Sequence, residues 1–150
     1  MDITEKKETL DMLLGLNPLI RKYLFIPMKK IDKPVNKGQF FVLRELYSYG
    51  PLSMSDLAER LAVSNQQLTP IMDGLVEMGF IERNVDMNCR RKVIAALTEE
   101  GKQYIAADKE NTLNALLPLF DKLNDDEIAA IKKDVTEITK ILCSLDNKGE

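Results

Sequence analysis

The sequence predicts a mainly α chain with one small β-hairpin, and three observations carry that expectation. Apolar residues recur at steps of three and four along most of the 150 residues. Ser or Asn followed three residues later by Asp, Glu or Gln opens helix after helix, the pattern of a capping box. Apolar-polar alternation, the mark of a half-buried strand, stands out over one short stretch, FIERNV at 80–85.

Taken in order, Leu10, Leu13, Leu14, Leu16, Ile20 and Leu24 predict a long first helix, bent at Pro18 and ending near Pro27. Asn36 with Gln39 starts a second helix over about 37–49, with Phe40, Leu43, Leu46 and Tyr47 inward and Gly50-Pro51 closing it. Ser53 with Asp56, then Ser64 with Gln67, start two helices over about 54–61 and 65–78, and Gly79 stops the second. Leu57, Leu61, Leu68, Ile71, Met72 and Leu75 would face their core. A short helix, a tight turn and a second helix with a polar front spell helix-turn-helix. The strand at 80–85, a turn at Asp86 to Cys89 and a return strand RRKVIAALT then make a β-hairpin with a cationic tip, so the lobe reads as a winged helix. A helix over about 99–118 follows, interrupted by Pro118. The last helix begins at the box Asn124–Glu127. Its apolar seam, Ile128, Ile131, Val135, Ile138, Leu142 and Leu145, suits packing on another helix at a shallow angle. The first helix of the same chain could fill that role. So much apolar helix outside a small winged lobe points instead to a dimer interface built from both ends of the chain. The expectation is one domain over 1–150, with a winged lobe at about 35–99 and dimerisation helices at about 1–34 and 100–150.

Composition narrows the function. With 45% hydrophobic and 30% charged residues the chain is an ordinary globular protein, not a disordered one. The net charge of −3 does not suggest a nucleic-acid binder, but a binding face needs only local cations. Residues 21–37 hold six cations against one acid, whereas the last thirty residues hold eight acids against five lysines. One basic surface on an acidic body follows. The two cysteines are far apart and make no disulfide framework, and no apolar run is long enough to cross a membrane. The charged start MDITEKKETLD has no signal core, so a cytoplasmic protein is expected. Without any histidine the commonest general base and zinc ligand are missing, and the seven glycines form no phosphate-cradling loop. Asp125 and Asp126 are explained by capping. No enzyme, cofactor or metal site is expected.

The runs GPLSMSDLAERLAVS, LTPIMDGLVEMGFIERNVD and RRKVIAALTEEG resemble the MarR family of bacterial transcription regulators, over about residues 37–105 in motif and the whole chain in element order. The resemblance implies a homodimer whose two winged lobes are joined by the terminal helices. It also implies binding to a pseudopalindromic operator, often as a repressor released by a small aromatic or lipophilic effector.

Ser64, Asn65, Gln66 and Gln67 front the helix that would enter the major groove. Gln66 or Gln67 suits a bidentate bond to adenine, as does Asn65, and Thr69 suits a thymine methyl or a phosphate. Ser64 and Gln67 also serve as the cap. Arg91 matches the family's wing arginine, implied to enter the minor groove, while Arg90 and Lys92 would lie near phosphates. Lys37, Ser53 and Arg83 are further candidates for the DNA backbone. Two features depart from the family: Pro70 and Gly74 stand where many members carry basic residues, and Cys89 stands where aspartate is common. A cysteine beside arginines has a depressed pKa, so a redox-sensing regulator using Cys89 is one alternative. A winged module for protein–protein contact without DNA binding is another. Cys143, beside the heptad seam, reads as an inert packing residue. The implied effector pocket draws on Leu16, Ile20, Tyr23, Leu24, Phe40, Phe41 and Tyr47, with Arg21 for a carboxylate. The same side chains would also make an ordinary core.

Overall fold

The computed structural model describes residues 2–29 and 33–146; the side chains of residues 89 and 90 lie outside that description. The chain forms two units, one from residues 1–30 with 113–150 and the other from residues 31–112.

The first unit is helical. Helix α1 (Ile3–Ile20) runs through Pro18 without interruption and passes into a π-helical turn at Arg21–Phe25, followed by the short α2 (Ile26–Met28). The departure from the α-helical hydrogen-bond pattern comes at 21–25, after Pro18. Within it the Ile26 N–H donates to the Arg21 carbonyl, five residues back. This widened turn ends two residues before Pro27, whose ring would press on the carbonyl four residues earlier in a regular helix. The unit also takes the end of α6 (Glu99–Phe120), which continues through Pro118 instead of breaking there, and α7 (Asp125–Leu145). Asn124 caps α7 with a complete box: its Oδ1 accepts from the Glu127 N–H, and Glu127 Oε2 accepts from the Asn124 N–H, both at 2.9 Å. Neither α1 nor α7 buries a side chain.

The second unit holds the core. Helix α3 (Lys37–Tyr49) starts at the Asn36–Gln39 box and buries Gln39, Val42, Leu43 and Leu46. The spacing 39, 42, 43, 46 is one helical stripe, so Val42 takes the inward place expected of Tyr47, which is exposed. After β1 (Leu52–Ser53) come α4 (Met54–Arg60) and α5 (Asn65–Glu77), with Leu57, Leu68, Met72 and Leu75 fully buried between them and α3. The connection after α4 places Ala62 at φ 52°, with Val63 N–H bonded to Ala58 O and Ala62 N–H to Glu59 O, both at 3.0 Å. Helix α5 ends the same way on Gly79 at φ 76°, with Phe80 N–H on Leu75 O and Gly79 N–H on Val76 O. Each end is a Schellman motif; Gly adopts the left-handed step freely, and Ala does so under strain. The sheet is antiparallel in the order β1-β3-β2, with β2 at Ile81–Asp86 and β3 at Cys89–Leu97. Strand β1, paired Leu52 to Ala95 and Ser53 to Ile94, is too short to leave a periodic trace in the sequence.

Candidate nucleic-acid interface

The front of α5 is polar and exposed, and its back is core. Ser64 Oγ accepts from the Gln67 N–H at 3.1 Å, and Gln67 Oε1 accepts from the Ser64 N–H at 3.0 Å. The Gln67 carbonyl is thus engaged, and a bidentate bond to adenine needs both ends of an amide. Gln66 and Asn65, exposed on the first turn, have no such commitment to the cap. Thr69 Oγ1 donates to the Asn65 carbonyl at 2.8 Å. Pro70 is also exposed. Leu68, Met72 and Leu75 anchor the opposite face.

Gly74 has a packing reason to lack a cation. A Cβ there would lie 2.6 Å from Gln39 Nε2, and Gln39 is held by the α3 capping box. Helix α4, the first of the motif, is fastened to α3 by Arg60. Its guanidinium stacks 3.7 Å from the Tyr49 ring and bonds Glu45 Oε2 at 2.7 Å, and that bond holds the Arg60 pKa above its ordinary value.

In the wing the turn is Met87–Asn88, narrower than the expected Asp86 to Cys89, and Asp86 Oδ1 accepts from the Asn88 N–H at 3.0 Å. The β2–β3 register passes from Val85 opposite Val93 directly to Asp86 opposite Cys89. Residues 90–92 therefore bulge from the ladder. The cations are not at the tip: they sit one step beyond it on the return strand, where Arg91 and Lys92 are exposed. The side chains of Arg90 and Cys89 lie outside the described residues. Arg83 on β2 pairs with Asp73 on α5, which ties the wing to the front helix. Lys37 is exposed at the first position of α3, 5.9 Å from the Phe41 ring.

Ser53 is a correction. It is only 4% exposed, and its hydroxyl accepts from the Asp56 N–H at 3.1 Å, so it serves as the α4 cap and not as a surface for phosphate. Cys143 is exposed in the single chain, as Val135 and Leu142 of the neighbouring seam are. Val85 at the end of β2 and Met87 in the turn are both exposed and were not among the expected interface residues; a methionine in an otherwise polar turn was the available signal.

The effector candidates divide between the units. Leu16, Ile20, Arg21, Tyr23 and Leu24 belong to the first, while Phe40, Phe41 and Tyr47 belong to the second. Tyr23 lines a cleft of about 250 Å³ within the first unit, with Lys22, Pro27, Leu116, Leu119 and Lys122 among its walls. Phe40 and Phe41 meet edge to face at 5.5 Å. Along α7 the seam stays open in the single chain: Ile131, Val135 and Leu142 are exposed, and Ile128 and Ile138 half-buried. Among the described residues no helix is long and apolar enough to cross a membrane.

A sequence model of the MarR family matches residues 35–93. The HTH-type transcriptional regulator YwhA of Bacillus subtilis is 30% identical over 97 residues, covering 65% of this chain and 70% of that protein. A MarR family protein from Bacillus stearothermophilus superposes with a TM-score of 0.72 at 18% identity, over 95% of this chain and 99% of that one. Streptococcus pneumoniae FabT, solved in complex with DNA, superposes at 0.63 and 21% identity, over 96% of this chain and 99% of that one. With the small winged sheet and the polar-fronted second helix of its helix-turn-helix, this chain belongs to the MarR family of transcriptional regulators.

Proposed function

We propose that the protein is a homodimeric repressor that binds a pseudopalindromic operator and is released by a small lipophilic effector. One observation carries this reading: a polar, exposed α5 front (Asn65, Gln66, Thr69) and exposed wing cations (Arg91, Lys92) stand on one lobe, joined by the Arg83–Asp73 pair. Such a lobe offers hydrogen-bonding side chains to base edges in the major groove and cations to the flanking phosphates. Each neutralised phosphate releases counterions, so a few local cations outweigh a net charge of −3. The DNA complex of FabT supports the same use of the fold. Two lobes related by a two-fold axis would read half-sites about 10 base pairs apart, centre to centre, or a multiple of that. The open α7 seam supports the two-fold partner. For the effector, the cleft beside Tyr23 combines apolar walls with Lys22 and Lys122, a combination that fits an amphiphilic anion.

The test is selection of bound sequences from a random DNA pool, followed by affinity measured against salt. A recovered palindrome, with log affinity falling linearly and steeply in log salt, is the expected outcome. Arg91→Ala should then weaken binding and lower the slope by about one. Recovery of no motif would sink the operator reading and leave a winged module for protein contact.

A further inference from the structure

On strand β2 the odd-numbered side chains share one face, and that face has a direction. Ile81 is buried in the core at its base, Arg83 reaches Asp73 on α5, and Val85 follows, exposed. Met87 lies next along the chain in the turn, with 97% of its surface open against 58% for Val85. The apolar strip thus begins where the wing is joined to the front helix and ends at the outermost point of the hairpin. A two-residue turn ordinarily takes Asn, Asp or Gly, so folding of the wing does not ask for methionine there. Around the strip the charge is arranged in a particular way. Asp86 Oδ1 accepts from the Asn88 N–H, and against that one carboxylate Arg91 and Lys92 both stand exposed in the bulge beside the turn.

We propose that Val85 and Met87 form an apolar wedge that enters the DNA minor groove alongside Arg91, Met87 against the deoxyribose walls and base edges, while Lys92 holds a phosphate at the rim. This rests on the DNA-binding reading above and adds a contact that is not electrostatic. The minor groove has that layout, with C–H sugar walls inside and phosphates along both edges, and apolar side chains are accommodated there by partial unstacking of a base step. Burial of an otherwise exposed methionine supplies the gain.

The experiment uses the full-length protein and the operator recovered from the random pool, with affinity followed over a range of salt. Met87→Ala should weaken operator binding about tenfold while leaving the salt slope at the wild-type value, because no ion pair is lost. Arg91→Ala should lower the slope, and Met87→Leu should restore affinity to within about twofold of wild type. Thermal unfolding of Met87→Ala should match wild type, since the side chain makes no core contact. The wedge is overturned if Met87→Ala binds within about twofold of wild type, or if its loss appears as a changed slope. If the wild-type protein selects no DNA, the DNA-binding reading fails and the wedge falls with it, an outcome distinct from a normal operator complex indifferent to Met87.

Discussion

Gly101 shows how a single missing side chain fixes the junction between wing and helix. A Cβ at this position would lie 2.0 Å from the Phe80 carbonyl oxygen, which is backbone and itself accepts from the Thr98 N–H. Thr98 closes the same corner, its Oγ1 donating to the Gly79 carbonyl at 2.6 Å and accepting from the Gly101 N–H at 3.0 Å. Within the run LTEEG, Thr98 and Gly101 are therefore fixed together against the backbone of Gly79 and Phe80. Gly101→Ala should cost about 3 kcal/mol in denaturant unfolding, at the upper end for overpacking, and a loss below about 1 kcal/mol would show that the corner can relax. Nearby, Tyr104 stacks on Phe80 with ring centroids 4.6 Å apart, and its hydroxyl is buried with no hydrogen-bond partner among the described residues. Burial first, and then the Asp108 charge, push its pKa up to about 12 from an ordinary 10.0. Between those values the unfolded chain gives up a proton that the folded chain keeps, so stability falls as pH rises through that window. Below it the effect is constant. In a titration of tyrosinate absorbance, the Tyr104 ionisation should come about two pH units above the ordinary 10.0 and return to that value on unfolding.

Among elements, Lys33 makes the least exposed ion pair of the described residues. Its ammonium bonds Asp108 at 2.9 Å and Thr112 Oγ1 at 2.7 Å and lies 5.0 Å from the Phe40 ring, tying the segment before α3 to α6. Taking one partner from a buried pair leaves an uncompensated charge, which costs about 3–5 kcal/mol. Lys33→Met and Asp108→Leu should each be strongly destabilising and the double variant clearly less so than their sum. Strict additivity in a double-mutant cycle would mean that the pair is solvated. No local signal marks this contact, since 75 residues separate its partners. What was legible was local. The boxes at Asn36, Ser64 and Asn124 each put the cap and its reciprocal partner in four consecutive residues, and α3, α5 and α7 begin where those boxes stand. The end of α5 was legible in Gly79 for the same reason. Strand β1 exists only through its pairing with β3, and the wing bulge only through a register between two strands, so neither has a sequence period to read. The candidate site divides likewise. The exposed front of α5 follows from helical period, whereas the burial of Ser53 and the exposure of Met87 depend on what the rest of the fold covers.

At the scale of the whole molecule, apolar surface is left uncovered on the two long terminal helices. No side chain of α1 or α7 is buried, although Leu10, Leu14, Leu19, Ile131, Val135, Leu142 and Leu145 are all exposed. On α7 they recur at heptad spacing, and a stripe of that width is what a second helix covers. Large apolar patches on soluble chains mark contact with a partner. A second copy supplies the same stripe and is always at hand, so an isologous pair is the economical arrangement. Full cover is worth about 1.5–3 kcal/mol for each such side chain. Replacing two of them, Val135→Glu with Leu142→Glu, removes that gain and sets like charges on facing helices. The pair should raise the dimer dissociation constant by at least about a hundredfold, seen by sedimentation equilibrium as a shift from 34 to 17.1 kDa, twice and once the mass of the chain. Because both positions lie on α7, outside the winged unit, the double variant should keep the circular dichroism of a folded lobe and still bind a single half-site weakly. Cooperative binding to a two-half-site operator should disappear with the dimer. A wild-type chain that sediments as a monomer at micromolar concentration would refute the pairing, and a variant that stays dimeric would place the interface elsewhere.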